Sequence, residues 1–244
     1  MASRSSRVIL IAVAAAVVVV VAAVVTWLLV RDEKTDRPAA SAPSTSPAAS
    51  KGTQVITAVA VDASGHPANG YREAPVTQAP GNVIKVSGCS ASPAAVAADI
   101  YSCAPTAAGA DVCWPAPPGS LLCLNDPWKQ ELHRVTTGPL PQVQPTPAPA
   151  PFALQLEDGT QCRLRNGGAW GGRDDGLVGA YGCGTGNPVV LVEQSAHSSL
   201  SAIDQSKPLW TVKVGSLGAG DAHLPPPQTR IVTTAWFAGN AGGA

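Results

Sequence analysis

The sequence predicts a mainly β protein: an N-terminal transmembrane helix, then two small, disulfide-bonded, β-rich domains. Three observations lead to this fold class. An uninterrupted apolar run covers residues 8–30, all six cysteines lie further along the chain, and the rest of the chain alternates short apolar segments with turn residues. The apolar run predicts the membrane anchor, and the cysteines indicate an oxidising compartment. The short apolar segments predict the strands of the folded region.

The apolar run at residues 8–30 is long enough to cross a membrane. At about 1.5 Å per residue it makes a helix of about 34 Å, against a hydrocarbon core of about 30 Å. A cleaved secretory signal has an apolar region of about 7 to 15 residues, whereas this run is longer and ends in the bulky sequence WLLV. We therefore expect an uncleaved signal-anchor. The alternative is cleavage near Ala40-Ser41-Ala42, a sequence that a signal peptidase accepts.

The orientation of this anchor is inferred from the cysteines. Basic residues alone favour the opposite orientation, because more of them follow the run than precede it. An even number of cysteines without C-x-x-C spacing indicates disulfide bonds, which persist only in an oxidising compartment. We therefore place residues 1–7 in the cytoplasm as a short tail, and the C-terminal region outside the cell membrane.

Composition and motifs argue against several classes of function. The formal net charge is zero and no basic run is present, so nucleic acid is not an expected partner. The four histidines are dispersed and match no zinc spacing. The sequence holds no G-x-S-x-G, P-loop or H-E-x-x-H motif. We therefore predict no catalytic residue, no cofactor and no metal site.

Two low-complexity stretches divide the chain. Residues 31–53 are rich in Pro, Ala, Ser and Thr and bury too little apolar surface to offset ordering entropy, which predicts a disordered stalk. Residues 138–151 hold six prolines and favour an extended polyproline linker. This linker separates two predicted β-rich domains, residues 54–137 with four cysteines and residues 152–244 with two.

Both predicted domains consist of short strands. In the first domain, strand patterns occupy residues 55–61, 83–86, 100–103, 111–114, 121–124 and 132–135. In the second domain they occupy residues 177–183, 189–193, 209–214 and 230–237. A turn is expected at Asn187-Pro188. Ser92-Pro93 before an alanine-rich stretch predicts one short helix, with the serine as its cap and the proline as its first residue.

The clearest hairpin lies at residues 152–165. A two-residue Asp158-Gly159 turn mixes the apolar and polar faces of the two strands. A three-residue loop at residues 157–159 instead gives the pairs Leu156 with Thr160, Leu154 with Cys162, and Phe152 with Leu164. That loop also requires a left-handed residue, a position that suits Gly159. We therefore predict the three-residue loop.

The Pro-rich linker limits how the six cysteines pair. Six cysteines allow fifteen connectivities, but four precede the linker, Cys89, Cys103, Cys113 and Cys123, and two follow it, Cys162 and Cys183. If each domain closes its own bonds, three connectivities remain, and all contain a bond between the last two cysteines. Of the three we prefer Cys89 with Cys103 and Cys113 with Cys123, because residues 115–120 form a turn between the latter pair.

One segment suggests a ligand contact. Residues 166–176, NGGAWGGRDDG, place Trp170, Arg173 and Asp174 in a glycine-flanked loop. An indole beside a guanidinium and a carboxylate suits a sugar ring or a peptide, so we predict these three residues as possible ligand contacts. For Trp170 itself, the interpretation that we favour over a ligand contact is that it folds back as a lid on a small core.

Several motifs around the cysteines resemble those of a known group of proteins. They are Tyr101-x-Cys103, Asp111-Val-Cys113-Trp114, Leu121-Leu-Cys123-Leu-x-Asp126-Pro127-Trp128, Leu156-Glu-Asp-Gly159-Thr-x-Cys162 and Gly179-Ala-Tyr181-x-Cys183. With them the chain resembles the exported, proline-rich, single-pass membrane proteins of mycobacteria and related actinobacteria, a group without an assigned activity. The resemblance implies location and cysteine framework only, and no functional residue is carried over from it.

Three classes of function follow from these observations. We favour a membrane-anchored, extracytoplasmic, non-catalytic binding or interaction module of the bacterial cell envelope, with an envelope protein or a cell-wall glycan as its partner. The chain combines an anchor, a spacer and disulfide-bonded β units with no catalytic motif. The alternatives are an envelope hydrolase or transferase whose residues converge only in space, and a structural subunit of a membrane complex.

Overall fold

The computed structural model describes residues 52–75, 84–104, 112–124, 126–165, 171–184, 188–196, 199–220 and 222–242. These residues form a mainly β structure, and none of them lies in an α-helix. Within these ranges no helix has the length and apolar character needed to cross a membrane. The predicted tail, the anchor at residues 8–30 and nearly all of the stalk lie outside the described residues. Residues 49–244 form one compact unit.

Fourteen strands follow one another along the described residues. They are β1 (Gln54–Ala58), β2 (Arg72–Glu73), β3 (Ser87–Ala91), β4 (Tyr101–Ala104), β5 (Cys113–Ala116), β6 (Ser120–Leu124), β7 (Glu131–Thr136), β8 (Ala153–Leu156), β9 (Gln161–Leu164), β10 (Leu177–Cys183), β11 (Pro188–Glu193), β12 (Ile203–Asp204), β13 (Trp210–Ser216) and β14 (Gln228–Ala238). Two 3₁₀ turns, Gln194–Ala196 and Ser199–Ala202, connect β11 to β12.

The larger sheet has eight strands in the order β1-β14-β8-β9-β10-β11-β13-β12. Strand β14 also pairs with β13, so β8, β9, β10, β11, β13 and β14 close on themselves through antiparallel pairs. Strand β14 is long enough to pair with β13 along its first half and with β1 along its second. Buried apolar side chains fill the interior, among them Leu154, Tyr181, Val190, Val212 and Val232.

The smaller sheet has six strands in the order β2-β7-β6-β5-β4-β3. One of its faces buries a cluster that includes Val86, Tyr101, Leu121 and Val135 together with three of the cysteines. Its other face belongs to a core that both sheets share. Trp114 and Leu122 contribute to this core from the smaller sheet, and Phe152 and Trp236 from the β8 and β14 side.

The shared core differs from the predicted division into two separate domains. Strand β1 belongs by sequence to the first predicted domain, but it pairs in parallel with β14 of the second, with Ile56 opposite Trp236. The indole Nε1 of Trp114 donates a hydrogen bond to the carbonyl oxygen of Gly239 at 2.7 Å. Burying the inward side chains of β1 requires β14, which lies far away in the sequence, so no local pattern announces this pairing.

The Pro-rich stretch at residues 138–151 connects β7 to β8, as expected of a linker, but it is fastened to both sheets. The Tyr101 hydroxyl donates to the carbonyl of Pro141 at 2.8 Å. The Tyr181 hydroxyl donates to the carbonyl of Pro151 at 2.9 Å. Burial raises the pKa of both tyrosines, so both hydroxyls remain donors. The linker therefore runs along the body of the protein.

The predicted hairpin at residues 152–165 is confirmed in its register. Leu154 pairs with Cys162 in the ladder between β8 and β9. The amide of Leu156 donates to the carbonyl of Thr160, and Gly159 has a φ of 82°. The three-residue loop places alternating apolar residues on the inner face, and glycine tolerates the left-handed position without a steric penalty.

The preferred disulfide connectivity is confirmed. Bonds join Cys89 to Cys103, Cys113 to Cys123, and Cys162 to Cys183. The second and third bonds each join residues that lie directly opposite one another in antiparallel pairs. Each bond therefore fixes a pair of neighbouring strands.

Most predicted strands are confirmed with shifted ends, but two of the predictions are wrong. Residues 84–86 lie outside the strands, and only an isolated bridge joins Lys85 to Thr136. The expected helix after Ser92 is absent. Its backbone groups bond instead to the end of β14, where the amide of Val96 donates to the carbonyl of Ala238 at 2.8 Å. A stretch this short cannot nucleate a helix against such contacts. Of the expected turn at Asn187-Pro188, Pro188 begins β11 and Asn187 lies outside the described residues.

Candidate functional site

The predicted ligand residues that the structure describes lie in a loop that is held against a second loop. Residues 171–176 precede β10, and residues 217–227 connect β13 to β14. Gly172 and Gly218 exchange two backbone hydrogen bonds, of 2.9 and 3.1 Å. The amide of Asp174 donates to the carbonyl of Ala222 at 3.1 Å. We refer to these two segments as the paired loops.

Close backbone approach explains the glycines of the paired loops. A Cβ at Gly171 would collide with the carbonyl oxygen of Gly218. A Cβ at Gly218 would lie 2.5 Å from that of Ala222, nearer than two carbon atoms can pack. The glycine-rich sequence, which we interpreted as a ligand loop, therefore has a structural role here, because only glycine lets the two backbones pair at this distance.

Arg173 is part of the internal support of the paired loops. The residue is 4% exposed. Its Nε donates to Oδ1 of Asp175 at 2.9 Å, its Nη1 to the carbonyl of Ser216 at 3.1 Å, and its Nη2 to the carbonyl of Pro225 at 3.0 Å. The prediction that Arg173 contacts a ligand is therefore corrected. Its guanidinium is buried and its donors are directed at acceptors of the protein itself.

Asp175 completes this support from the surface side. Its carboxylate accepts from the Arg173 guanidinium and from the amide of Leu177 at 3.2 Å. These bonds, with the arginine contributing most, hold the pKa of Asp175 below its ordinary value, and the carboxylate in turn raises the pKa of Arg173. The pair keeps its charges and fixes the loop around Asp174.

Asp174 faces outward and meets a residue that sequence reasoning missed. Its Oδ2 lies 2.7 Å from Nδ1 of His223, and the His223 side chain is 93% exposed. Because Nδ1 faces the carboxylate, Nε2 is left toward solvent. Forty-nine positions separate the two residues, so no spacing in the sequence connects them. Trp170, the remaining predicted contact, lies outside the described residues.

The exposed pair of Asp174 and His223 has a defined chemical capacity. Carboxylate oxygens accept hydrogen bonds, and an oriented imidazole donates or accepts one at Nε2. An aspartate that orients a histidine is also two thirds of a hydrolytic triad. No hydroxyl among the described residues is hydrogen-bonded to His223. The arrangement suits recognition of hydroxyl and amide groups.

A separate groove of about 190 Å³ lies beside the connection from β1 to β2 and is lined in part by Asp62, Asp99, Trp114 and Asn240. Oδ1 of Asp62 accepts from the amides of Ser64 and His66, and the latter contributes most to lowering the pKa of Asp62. Asp99 bonds to the Pro-rich stretch through its amide. Both aspartates therefore have structural roles in the walls of the groove.

Among the described residues, no three His, Cys, Asp or Glu side chains converge as metal ligands would.

Comparisons with known proteins add no assignment, because no protein family, curated protein or solved structure matches the chain. The candidate site is therefore defined by its own geometry, as the exposed face of the paired loops around Asp174 and His223.

Proposed function

We propose that this chain is a membrane-anchored, extracytoplasmic, non-catalytic binding module of the bacterial cell envelope. In this proposal the module contacts an envelope protein or a cell-wall glycan through the exposed face of the paired loops. The observation that carries it is the solvent-exposed pair of Asp174 and His223, whose Oδ2 and Nδ1 atoms lie 2.7 Å apart. The paired loops that hold this pair are fixed by the buried Arg173. The proposal keeps Asp174 from the sequence prediction and replaces Arg173 with His223.

The sequence and the disulfides support the proposed location. The apolar run at residues 8–30 supplies the anchor, and three disulfide bonds are typical of an oxidising compartment. In the proposal, the stalk that the sequence predicts at residues 31–53 links this anchor to the folded body. Such an arrangement suits a protein that reaches into the envelope for a partner.

The rigidity of the paired loops favours binding. Ordering a loop on association costs free energy, and a loop that is already held by backbone bonds and a buried arginine avoids most of that cost. The Asp174 carboxylate accepts hydrogen bonds from hydroxyl or amide groups, and Nε2 of His223 accepts or donates one according to its protonation. Trp170 stands four positions before Asp174 in the sequence and supplies an apolar ring to the same segment.

The test compares variants of the full chain in lipid nanodiscs. We expect His223→Ala and Trp170→Ala to weaken binding to isolated envelope glycan or envelope extract by about 5- to 100-fold, in the range of interface hot spots. His66→Ala is the matched control, since His66 is also an exposed histidine beside an aspartate, with 3.9 Å between Nδ1 and Oδ1 of Asp62. Undiminished binding by folded His223→Ala protein would reject the site.

The same pair favours one second candidate, an envelope hydrolase. An imidazole oriented by a carboxylate is able to take a proton from a nucleophile, if a hydroxyl joins it when substrate is bound. Incubating the full chain with envelope fragments and following product release separates the two functions. Turnover that His223→Ala abolishes and His66→Ala leaves intact would replace the binding proposal with the catalytic one.

A further inference from the structure

Strand β1 is an edge of the larger sheet that lacks the usual protection. It pairs with β14 on one side, in an uninterrupted parallel register from Gln54 to Ala58. On its other side, no strand among the described residues pairs with it. Its sequence, QVITA, contains no charge and no proline. Unprotected edges of this kind are templates for pairing with another strand.

The backbone groups of β1 that have no partner among the described residues are those of Val55 and Thr57. The Ala58 carbonyl accepts from the amide of Gly239, which follows β14, so Ala58 directs its backbone groups toward β14. Alternate residues of a strand direct these groups to the same side, so Ile56 also faces β14 while Val55 and Thr57 face away. Two residues therefore offer a donor and an acceptor each to a further strand.

An apolar patch accompanies this edge. Three large apolar side chains among the described residues are exposed, and two of them, Val55 at 51% and Val96 at 42%, lie here. A Cβ at Gly239 would lie 2.5 Å from Cγ2 of Thr57, 3.5 Å from that of Val59 and 3.8 Å from that of Val96. These methyl groups therefore meet above the glycine and form one surface. We refer to Val55, Thr57, Val59 and Val96 as the β1 patch.

The other short or irregular edges show how this protein protects a strand. β2 has two residues, both charged, and Arg72 is paired with Glu131 at 2.7 Å. β12 also has two residues and ends in the exposed Asp204. β3 contains a bulge between Ser87 and Ser90. Of these four edge strands, only β1 has no charged residue, no bulge and more than two residues. An edge strand without these protective features is expected to pair with a strand of another chain.

We propose that β1 pairs with β1 of a second copy of this chain, antiparallel and about a two-fold axis through Ile56. In this register Val55 lies opposite Thr57 of the second copy, and each such pair exchanges two backbone hydrogen bonds. The edge is complementary to itself, because it presents the same two free residues to both copies and no charge that would repel. The Val55 and Thr57 side chains then pack across the junction.

The chain outside the structure favours a second copy as the occupant. Only residues 52 and 53 separate residues 1–51 from β1, so the chain that comes from the proposed anchor enters the folded body through this strand. A junction between two five-residue strands buries a small surface area. Complexes that are stable in solution bury about 1,200 Å² or more. Copies confined to one membrane meet at a much higher effective concentration, which compensates for the small area. This step rests on the anchor of the proposed function, and the dimer is expected in membranes rather than in dilute detergent.

The test uses the full chain in its own membranes, expressed as two differently tagged copies. p-Benzoylphenylalanine replaces Val55, and in the control it replaces Ile231, which is 38% exposed and lies outside the β1 patch. After irradiation we expect a product of twice the 24.6 kDa chain mass that carries both tags, for Val55 only. Absence of this product, or a product with a protein of another mass, would overturn the proposal.

Two substitutions test the register. With the photoreactive residue at Thr57, we expect Val55→Pro to lower the yield of crosslinked dimer at least fivefold, because it removes an outward N–H that bonds to no described residue. With the photoreactive residue at Val55, we expect the same loss from Thr57→Lys, since like charges then face the junction. Each variant is checked for its three disulfides and its near-ultraviolet circular dichroism. If one of the two variants does not fold, the other variant is the test. An unchanged yield of crosslinked dimer in a folded variant contradicts the proposal. Binding at the paired loops is measured separately, so the two proposals fail independently.

Discussion

Two arginines that both bond to carboxylates differ in what surrounds them. The Arg173 side chain is 1% exposed and also bonds to two backbone carbonyls, whereas the Arg230 side chain is 23% exposed beside Glu157 and Asp158. We expect Arg173→Ala to lower the free energy of unfolding by about 2 to 3 kcal/mol, because it removes a buried side chain and leaves the part-buried carbonyls of Ser216 and Pro225 and the Asp175 carboxylate without their donor. Arg230→Ala should cost less than about 1 kcal/mol, as surface pairs do. Urea denaturation measures both, and equal losses would contradict the structural role given to Arg173.

Asp175 links stability to pH in a predictable direction. Its pKa in the folded protein is lowered, chiefly by Arg173, so its contribution is complete above the unfolded value of about 3.9 and is lost as the pH falls through the folded value. We expect Asp175→Asn to reduce stability at pH 7 and to flatten the loss of stability below about pH 4. Urea midpoints measured from pH 2.5 to 7 test this, with the exposed Glu193→Gln as control. An unchanged acid limb in Asp175→Asn would contradict it.

The paired loops depend on glycine at one crossing. A Cβ at Gly218 would lie 2.5 Å from the Cβ of Ala222 in the same loop, so Gly218→Ala forces these two residues apart, and they hold the backbone bonds to Gly172 and Asp174. We expect a loss of about 1 to 3 kcal/mol, in the range of overpacking substitutions, and faster hydrogen exchange at the amides of Gly172 and Asp174. Gly138→Ala is the control, because a Cβ at Gly138 meets nothing within 4 Å. Equal exchange rates in the two variants would show that the crossing tolerates a side chain.

Elements whose cause is local could be predicted from the sequence. The hairpin of β8 and β9 is set by two-residue alternation and by one glycine, and its register is as predicted. The Pro-rich stretch limits the cysteine pairing to three connectivities, and the predicted turn at residues 115–120 favours the one that is observed. The contacts that were missed join distant residues: β1 with β14, residues 94–96 with Ala238, and His223 with Asp174. Each depends on the assembled sheets, so a local pattern does not encode it.

At the scale of the whole molecule, the shared core makes the two sheets interdependent. Trp114 of the smaller sheet is 2% exposed within a cluster that also holds Phe152 and Trp236. Strand β1 and the Pro-rich stretch add two further connections between the parts that the sequence suggested were separate. A body built in this way unfolds as one cooperative unit, whereas two domains on a linker would give two transitions.

This interdependence predicts the thermal behaviour of the compact unit formed by residues 49–244. We expect one calorimetric transition whose enthalpy equals the van't Hoff enthalpy. We expect Trp114→Ala to lower stability by about 3 to 5 kcal/mol, because it leaves a cavity in the shared core and removes the donor to the Gly239 carbonyl. Hydrogen exchange resolves the two sheets, so amides of β6 and β10 report on them separately. In one cooperative unit both sets lose protection by the same free energy in Trp114→Ala. Loss confined to β6, or a second calorimetric transition, would mean that the larger sheet folds without the smaller one and that the shared core does not couple them.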